Sequence, residues 1–162
     1  SERSGIKAAT KYLLDGANYV LTRTDRTPGE AFGKLKDFIE KLDVDVSVMS
    51  PEQHDFCVAA VSHMPLAVAV SLVNAVCGLG KNRENCLKLA SSGFRDTTRV
   101  ASGNVEMGKD MFLSNGKAVL EMLSAFKSSL EDLEKMIQKK DIPGISAALE
   151  KAKNMRDGIY GS

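Results

Sequence analysis

The chain has 162 residues, 43% of them apolar and 27% charged, with a formal net charge of +1. That length suits one domain of ordinary size or a domain with part of another. The near-neutral balance, with no Lys/Arg cluster interleaved with aromatics, gives a nucleic-acid partner no footing.

Residues 1 to 49 read as alternating helix and strand. "SGIKAATKYLLDG" predicts a short helix stopped by Gly16, and "NYVLT" (18–22) a strand. "TPGE" (27–30) has the form of a capping box with Pro28 at the first helical position. The helix it would start places Phe32, Leu35, Ile39 and Leu42 on one stripe. "VDVSVM" (44–49) alternates valines with Asp45 and Ser47 as a second strand. This is a β-α-β piece of the kind that finishes a parallel sheet, and two strands cannot cover both of their own faces. The missing strands are expected before residue 1 or from another chain.

After "SPEQ" (50–53), a second capping box, no strand is predicted. A long apolar helix is expected to about Val76, ended by Gly78 and Gly80, with shorter helices at 83–91, 94–101 and 104–114. A further long helix carries Val119, Leu123, Phe126, Leu130, Leu133 and Ile137, a narrow seam suited to another helix. A last helix runs from near Pro143 to Asp157, with Gly158 beyond its end. The fold class is therefore mainly α: residues 1–49 as the terminal β-α-β piece of a Rossmann-like domain, residues 50–162 as an all-helical domain.

The run from Phe56 to Leu79 is long enough for a membrane span, but Ser62, His63, Pro65, Ser71 and Asn74 interrupt it, so a buried helix in the middle of a bundle is expected instead. The cysteines Cys57, Cys77 and Cys86 form no CxxC pair and read as free thiols of a reducing cytoplasm. No signal peptide opens the chain, and a start at Ser1 suits a piece of something longer. His54 and His63 are the only histidines; without CxxC or HExxH no metal site is expected. "GLGKNR" (78–83) follows a helix and lacks a third glycine, so it reads as a helix stop and not a dinucleotide turn.

"GFRDTTRVASG" (93–103) is the most informative stretch. On a helix Arg95 and Arg99 share a face, and Asp96 can pair with Arg99. Such a segment is commonly a solvated ion-pair helix. Two guanidinium forks on one face also suit a carboxylate or phosphate. On the long helix Asp55 and Ser62, seven apart, fall on nearly one stripe, and His63 lies about 100° round from Ser62. His54 falls on the opposite side from His63 if the helix is regular. Pro65 removes a backbone hydrogen bond, which can free the Val61 carbonyl and open space beside the imidazole.

"MSPEQHDFCVAAVSHMP", followed by "LASSGFRDTTRVASGN", resembles the prephenate dehydrogenase family, which includes arogenate dehydrogenases. The opening "SERSGIKAATKYLLDGANYVLT" is similar to the segment just after that family's H-P-M-A-G motif, so the likeness covers essentially the whole chain. The resemblance implies oxidative decarboxylation of prephenate to 4-hydroxyphenylpyruvate with NAD or NADP, in tyrosine biosynthesis in the cytoplasm. It implies Arg99 as the substrate-carboxylate arginine, His63 with neighbouring Ser62 at the substrate pocket, and Glu2 at its mouth. Arg95, Asp96, His54 and Asp55 fall at supporting or cofactor-side positions. The glycine-rich turn and the proton-accepting histidine of H-P-M-A-G are expected upstream of Ser1, so no catalytic residue is expected within the chain, which by itself is expected to be inactive. Partners implied are prephenate, a second copy of the chain through the helical domain, and tyrosine as a possible effector, with no membrane. Two departures stand out: Leu66 where the family often has a second histidine, and Gly108 where a tryptophan commonly follows the Met. The first bears on the choice between prephenate and arogenate; the second reads as packing. The alternatives are an arogenate dehydrogenase and a non-catalytic dimerisation or tyrosine-sensing module.

Overall fold

The computed structural model describes residues 9–10 and 12–161. Their contacts divide the chain into two compact units, Ser1–Val119 and Leu120–Ser162.

The first unit opens with a β-α-β piece. Strands β1 (Ala17–Thr22) and β2 (Val44–Met49) pair in parallel, from Ala17 opposite Val44 to Thr22 opposite Met49. Leu21 and Ile39, from β1 and the connecting helix α1 (Gly29–Ile39), are its buried apolar residues. The rest of the expected stripe is only partly covered, and Leu35, Phe38 and Val48 are exposed. Half of the helix expected before Gly16, residues 4–8 and 11, lies outside the described residues. Residues 12–16 are turns instead, because N–H groups there reach carbonyls three residues back and the ladder is not continued. Gly16 takes φ +64°, and its N–H donates to the Asp43 carbonyl at 2.6 Å, joining the two strand entries.

The capping box expected at Thr27 does not form. The Thr27 hydroxyl instead accepts from the Thr24 N–H at 3.1 Å, within a turn, so α1 starts after Pro28 with no side-chain cap. The box at Ser50 is complete. Gln53 N–H donates to Ser50 Oγ at 3.2 Å, and Ser50 N–H to Gln53 Oε1 at 3.1 Å, with Pro51 in the first turn. Such a cap is worth about 1 kcal/mol and fixes where the long helix begins.

That helix has three parts: α2 (Pro51–Val58), a wide π turn (Ala59–His63) and α3 (Met64–Cys77). Gly78 ends it, and Gly80 follows with φ +55°. It is long and apolar enough to cross a membrane by length and composition, with mean hydropathy 2.0 in its most apolar window. The sequence led us to expect a buried helix. Only 17% of that window is buried within the chain, with Ala59, His63 and Ala69 as its buried residues. The short elements around it cover one strip of its surface and no more. They are α4 (Arg83–Lys88), α5 (Ser92–Thr98), a 3₁₀ turn (Arg99–Ser102) and α6 (Val105–Ser114). Asn104 caps α6, accepting from the Met107 N–H at 3.0 Å.

Helix α7 (Gly116–Lys139) leads into the second unit, which also holds α8 (Ile142–Tyr160). Lys140 closes α7 at φ +54°, and the Asp141 N–H returns to the Met136 carbonyl at 2.9 Å, a Schellman closure without glycine. In the expected seam Val119 is buried, whereas Leu130, Leu133 and Ile137 remain exposed. Helix α8 runs through Gly158, past its expected end. A mid-helix glycine costs only about 1 kcal/mol, and one side-chain contact spans it: the Arg156 guanidinium lies 5.3 Å from the Tyr160 ring centre. The true stop is Gly161, at φ +74°.

Candidate functional site

His63 is the last residue of the π turn and is 9% exposed. In an unbroken α-helix, His54 would stand about half a turn away from it, since nine residues carry about 900°. The π turn overturns that expectation. It spends one extra residue, as the Met64 N–H returning to the Ala59 carbonyl shows, and so rotates the preceding turns back by about 100°. Asp55 then falls nearly on the His63 stripe, and His54 comes to within about 80° of it. Pro65, which has no N–H to continue the α ladder, sits just after the wide turn and favours it.

A residue from another element closes this cluster. Asn115, at the end of α6, donates its side-chain amide to the Asp55 carbonyl at 2.7 Å, and the same nitrogen lies 3.4 Å from His63 Nδ1. His54 Nδ1 and Asp55 Oδ1 are 3.0 Å apart. Thus the structure joins His54, Asp55 and His63, as sequence reasoning did not, and adds Asn115, which sequence reasoning missed. The one available signal was an Asn beside Gly116 between two helical patterns, which marks a helix end but not the direction of the amide.

Burial holds the His63 imidazole below its ordinary value of 6.5; the Asp55 carboxylate opposes this shift and His54 adds to it. The unfolded chain therefore takes up a proton at a higher pH than the folded one. Stability is expected to be level above the unfolded value and to fall as pH drops through it, flattening below the folded value. Chemical denaturation between about pH 8 and pH 5 checks this, because His63→Gln should remove that part of the slope. An identical pH profile in the variant would mean that the imidazole is not the group responsible.

Ser62 is exposed beside the buried His63. Arg95 and Asp96 are both exposed on α5, and Asp96 Oδ1 takes the Arg95 Nε at 2.9 Å. The pairing expected of Asp96 with Arg99 is replaced by this shorter-range one. The helix expected over 94–101 ends at Thr98, whose hydroxyl donates back to the Phe94 carbonyl at 2.6 Å. Arg99 is exposed and opens the 3₁₀ turn that packs against α3, the helix that starts next to His63. Glu2 lies outside the described residues.

The two departures noted in the sequence meet in space. A Cβ built on Gly108 of α6 would lie 3.4 Å from Leu66 Cδ2 of α3, at van der Waals contact. A large side chain at 108 would have to displace Leu66, so the residues at these positions are sterically linked.

For a nicotinamide dinucleotide, the described residues supply no cradle. β1 runs into the turn at 23–27 and β2 directly into Ser50 and Pro51, so neither strand is followed by a glycine-rich turn at a helix N-terminus. No step through that cofactor follows from these residues.

Residues 50–151 match the family described as prephenate dehydrogenase, dimerization domain. The prephenate dehydrogenase of Bacillus subtilis is 31% identical over 163 residues, covering 98% of this chain and 43% of that protein. The crystal structure of Synechocystis arogenate dehydrogenase superposes with TM-score 0.88 at 36% identity, over 96% of this chain and 56% of that one. The prephenate dehydrogenase of A. aeolicus, solved in complex with hydroxyphenyl propionate and NAD+, gives TM-score 0.92 at 31% identity, over 98% and 56%. The chain thus spans about half the length of the relatives it matches. With its wide-turned apolar helix, its buried histidine and a match over most of its length, the chain belongs to the prephenate dehydrogenase family.

Proposed function

We propose that this chain forms the helical, substrate-gripping part of a cytoplasmic prephenate dehydrogenase. The whole enzyme would oxidise and decarboxylate prephenate to 4-hydroxyphenylpyruvate in tyrosine biosynthesis. The observation that carries this reading is the buried His63, bonded into a cluster within the region that matches the family. NAD or NADP, held by residues other than those described, would accept the hydride. Arg99 offers a planar fork to a carboxylate of the dianion. A neutral His63 adds a hydrogen bond without a second positive charge, and the surrounding helices limit water. Residues 1–49 act as the end of the nucleotide-binding domain, and residues 50–162 as the dimerisation and substrate domain. The partner of the exposed apolar helix is a second copy of the chain. Tyrosine, the aromatic end product, is a candidate effector of the same pocket.

Arogenate is the second substrate reading. The 36% identity to the Synechocystis enzyme favours it. Titration calorimetry of this chain with prephenate, arogenate and tyrosine separates the readings. Prephenate is expected to bind without being oxidised when NAD+ is added. Binding of arogenate alone moves the assignment to the second substrate. Heat from neither, or nicotinamide reduction by these 162 residues alone, removes the proposal.

A further inference from the structure

We infer that Asn115 is a positioning residue that fixes the tautomer of His63, holding the imidazole with its proton on Nε2. The argument starts from the direction of the amide. An oxygen could not lie 2.7 Å from the Asp55 carbonyl, because two acceptors would then face each other, so the group there is the NH2. That nitrogen carries two hydrogens. One goes to the carbonyl, and the other faces His63 Nδ1 at 3.4 Å. A ring nitrogen facing a donor must offer its lone pair, so Nδ1 is unprotonated and the proton of the neutral ring is on Nε2.

The amide also spans the π turn, gripping a carbonyl one turn before it and the ring at its last residue. The backbone phase that brings Asp55 and His63 together and the ring orientation are thus held by one side chain. Asn115 can do this because its own backbone is occupied at the α6–α7 junction: its N–H donates to the Met111 carbonyl at 3.3 Å, and its carbonyl accepts from the Val119 N–H at 3.0 Å. The benefit to a ligand rests on the functional reading above. Nε2 is on the ring edge away from Asn115, so the fixed tautomer presents an N–H donor to an anionic or carbonyl group there.

The test is nitrogen-15 spectroscopy of the histidine rings in this chain, at a pH where His63 is neutral. With two histidines in the sequence, a His54→Gln variant assigns the signals. The native chain is expected to show His63 Nδ1 as the unprotonated nitrogen and Nε2 as the protonated one. Asn115→Asp, which replaces the donor with an acceptor, should transfer the proton to Nδ1, and Asn115→Leu should give a mixture. Prephenate binding should weaken by about 2- to 10-fold in Asn115→Leu, as for one lost hydrogen bond. A protonated Nδ1 in the native chain overturns the inference, and that measurement needs no variant to fold. An unchanged tautomer in both folded variants also overturns it. If the native chain shows the Nε2–H form but binds no prephenate, the functional reading falls and the role of Asn115 on the ring stands.

Discussion

Replacing Arg99 with alanine is expected to cost prephenate binding about 2–5 kcal/mol, the range for removing one partner of a desolvated charge pair. Arg99 is exposed in the free chain, so the lower figure applies if the bound acid stays in contact with water. Even that is a loss of about 30-fold in affinity. Arg99→Lys should recover only part of it, because a single ammonium cannot reproduce the two parallel bonds of the guanidinium fork. Calorimetry of the two variants beside the native chain reads this directly. Equal affinity in all three would take Arg99 out of the binding site. Arg95→Ala, at an exposed position on α5, should cost far less.

A charge on the apolar helix should have the other large effect. Val61 is 78% exposed on the π turn, and Phe56 is 46% exposed one turn earlier. An apolar surface of this length demands a cover, and a second copy of the same helix is the simplest one. Val61→Asp would then bury an unpaired carboxylate in the interface. That costs about 3 kcal/mol or more, so the dimer dissociation constant should rise on the order of a hundredfold or more. Sedimentation velocity over a dilution series should show native dimers and monomers of the variant. Lys41→Asp, on the β-α-β piece, serves as the control and should leave the dimer intact. A native chain that sediments as a monomer would leave the apolar helix to some other partner.

The legible parts of this fold were those decided by neighbours in sequence. The Ser50–Gln53 box needs only residues three apart, and its two reciprocal bonds formed as read. Likewise the alternation in 44–49 and the β-prone run ending at Thr22 gave strands within a residue of their bounds. The failures came where a longer-range partner or a competing local bond decided the outcome. Thr27 had the composition of a cap, but its hydroxyl was taken by Thr24. Asp96 had two arginines within reach and took the adjacent one. Gly158 looked like a stop, but the helix runs on through it, with Arg156 and Tyr160 in contact across it.

The candidate site divides the same way. His63 could be singled out because an ionisable ring beside a proline in an apolar run is unusual. Its neighbours could not, because they depend on the phase of the helix. An α turn and a π turn differ by one step in the hydrogen-bond ladder, and no residue pattern in 59–63 declares which will form. Asn115, 52 residues further on, belongs to the site only once that phase is set. The burial of the long helix was misjudged for a related reason: its sequence says that it must be covered but not by what.

The wide turn also bears on how this segment can vary. Deleting a single codon anywhere from 59 to 62 would heal the ladder into plain α-helix, a gain in local regularity. It would leave Asp55 on the stripe of the imidazole, because seven α steps carry the same 700° or so as the eight steps that now include the wide turn. What the side-chain cluster fixes is the phase of the helix: closing the wide turn at constant length would swing Asp55 about 100° away from the imidazole, whereas closing it with one residue fewer would not. A substitution in Ala59–Val61 that tightened the turn at constant length would therefore disturb the cluster more than the loss of one residue there.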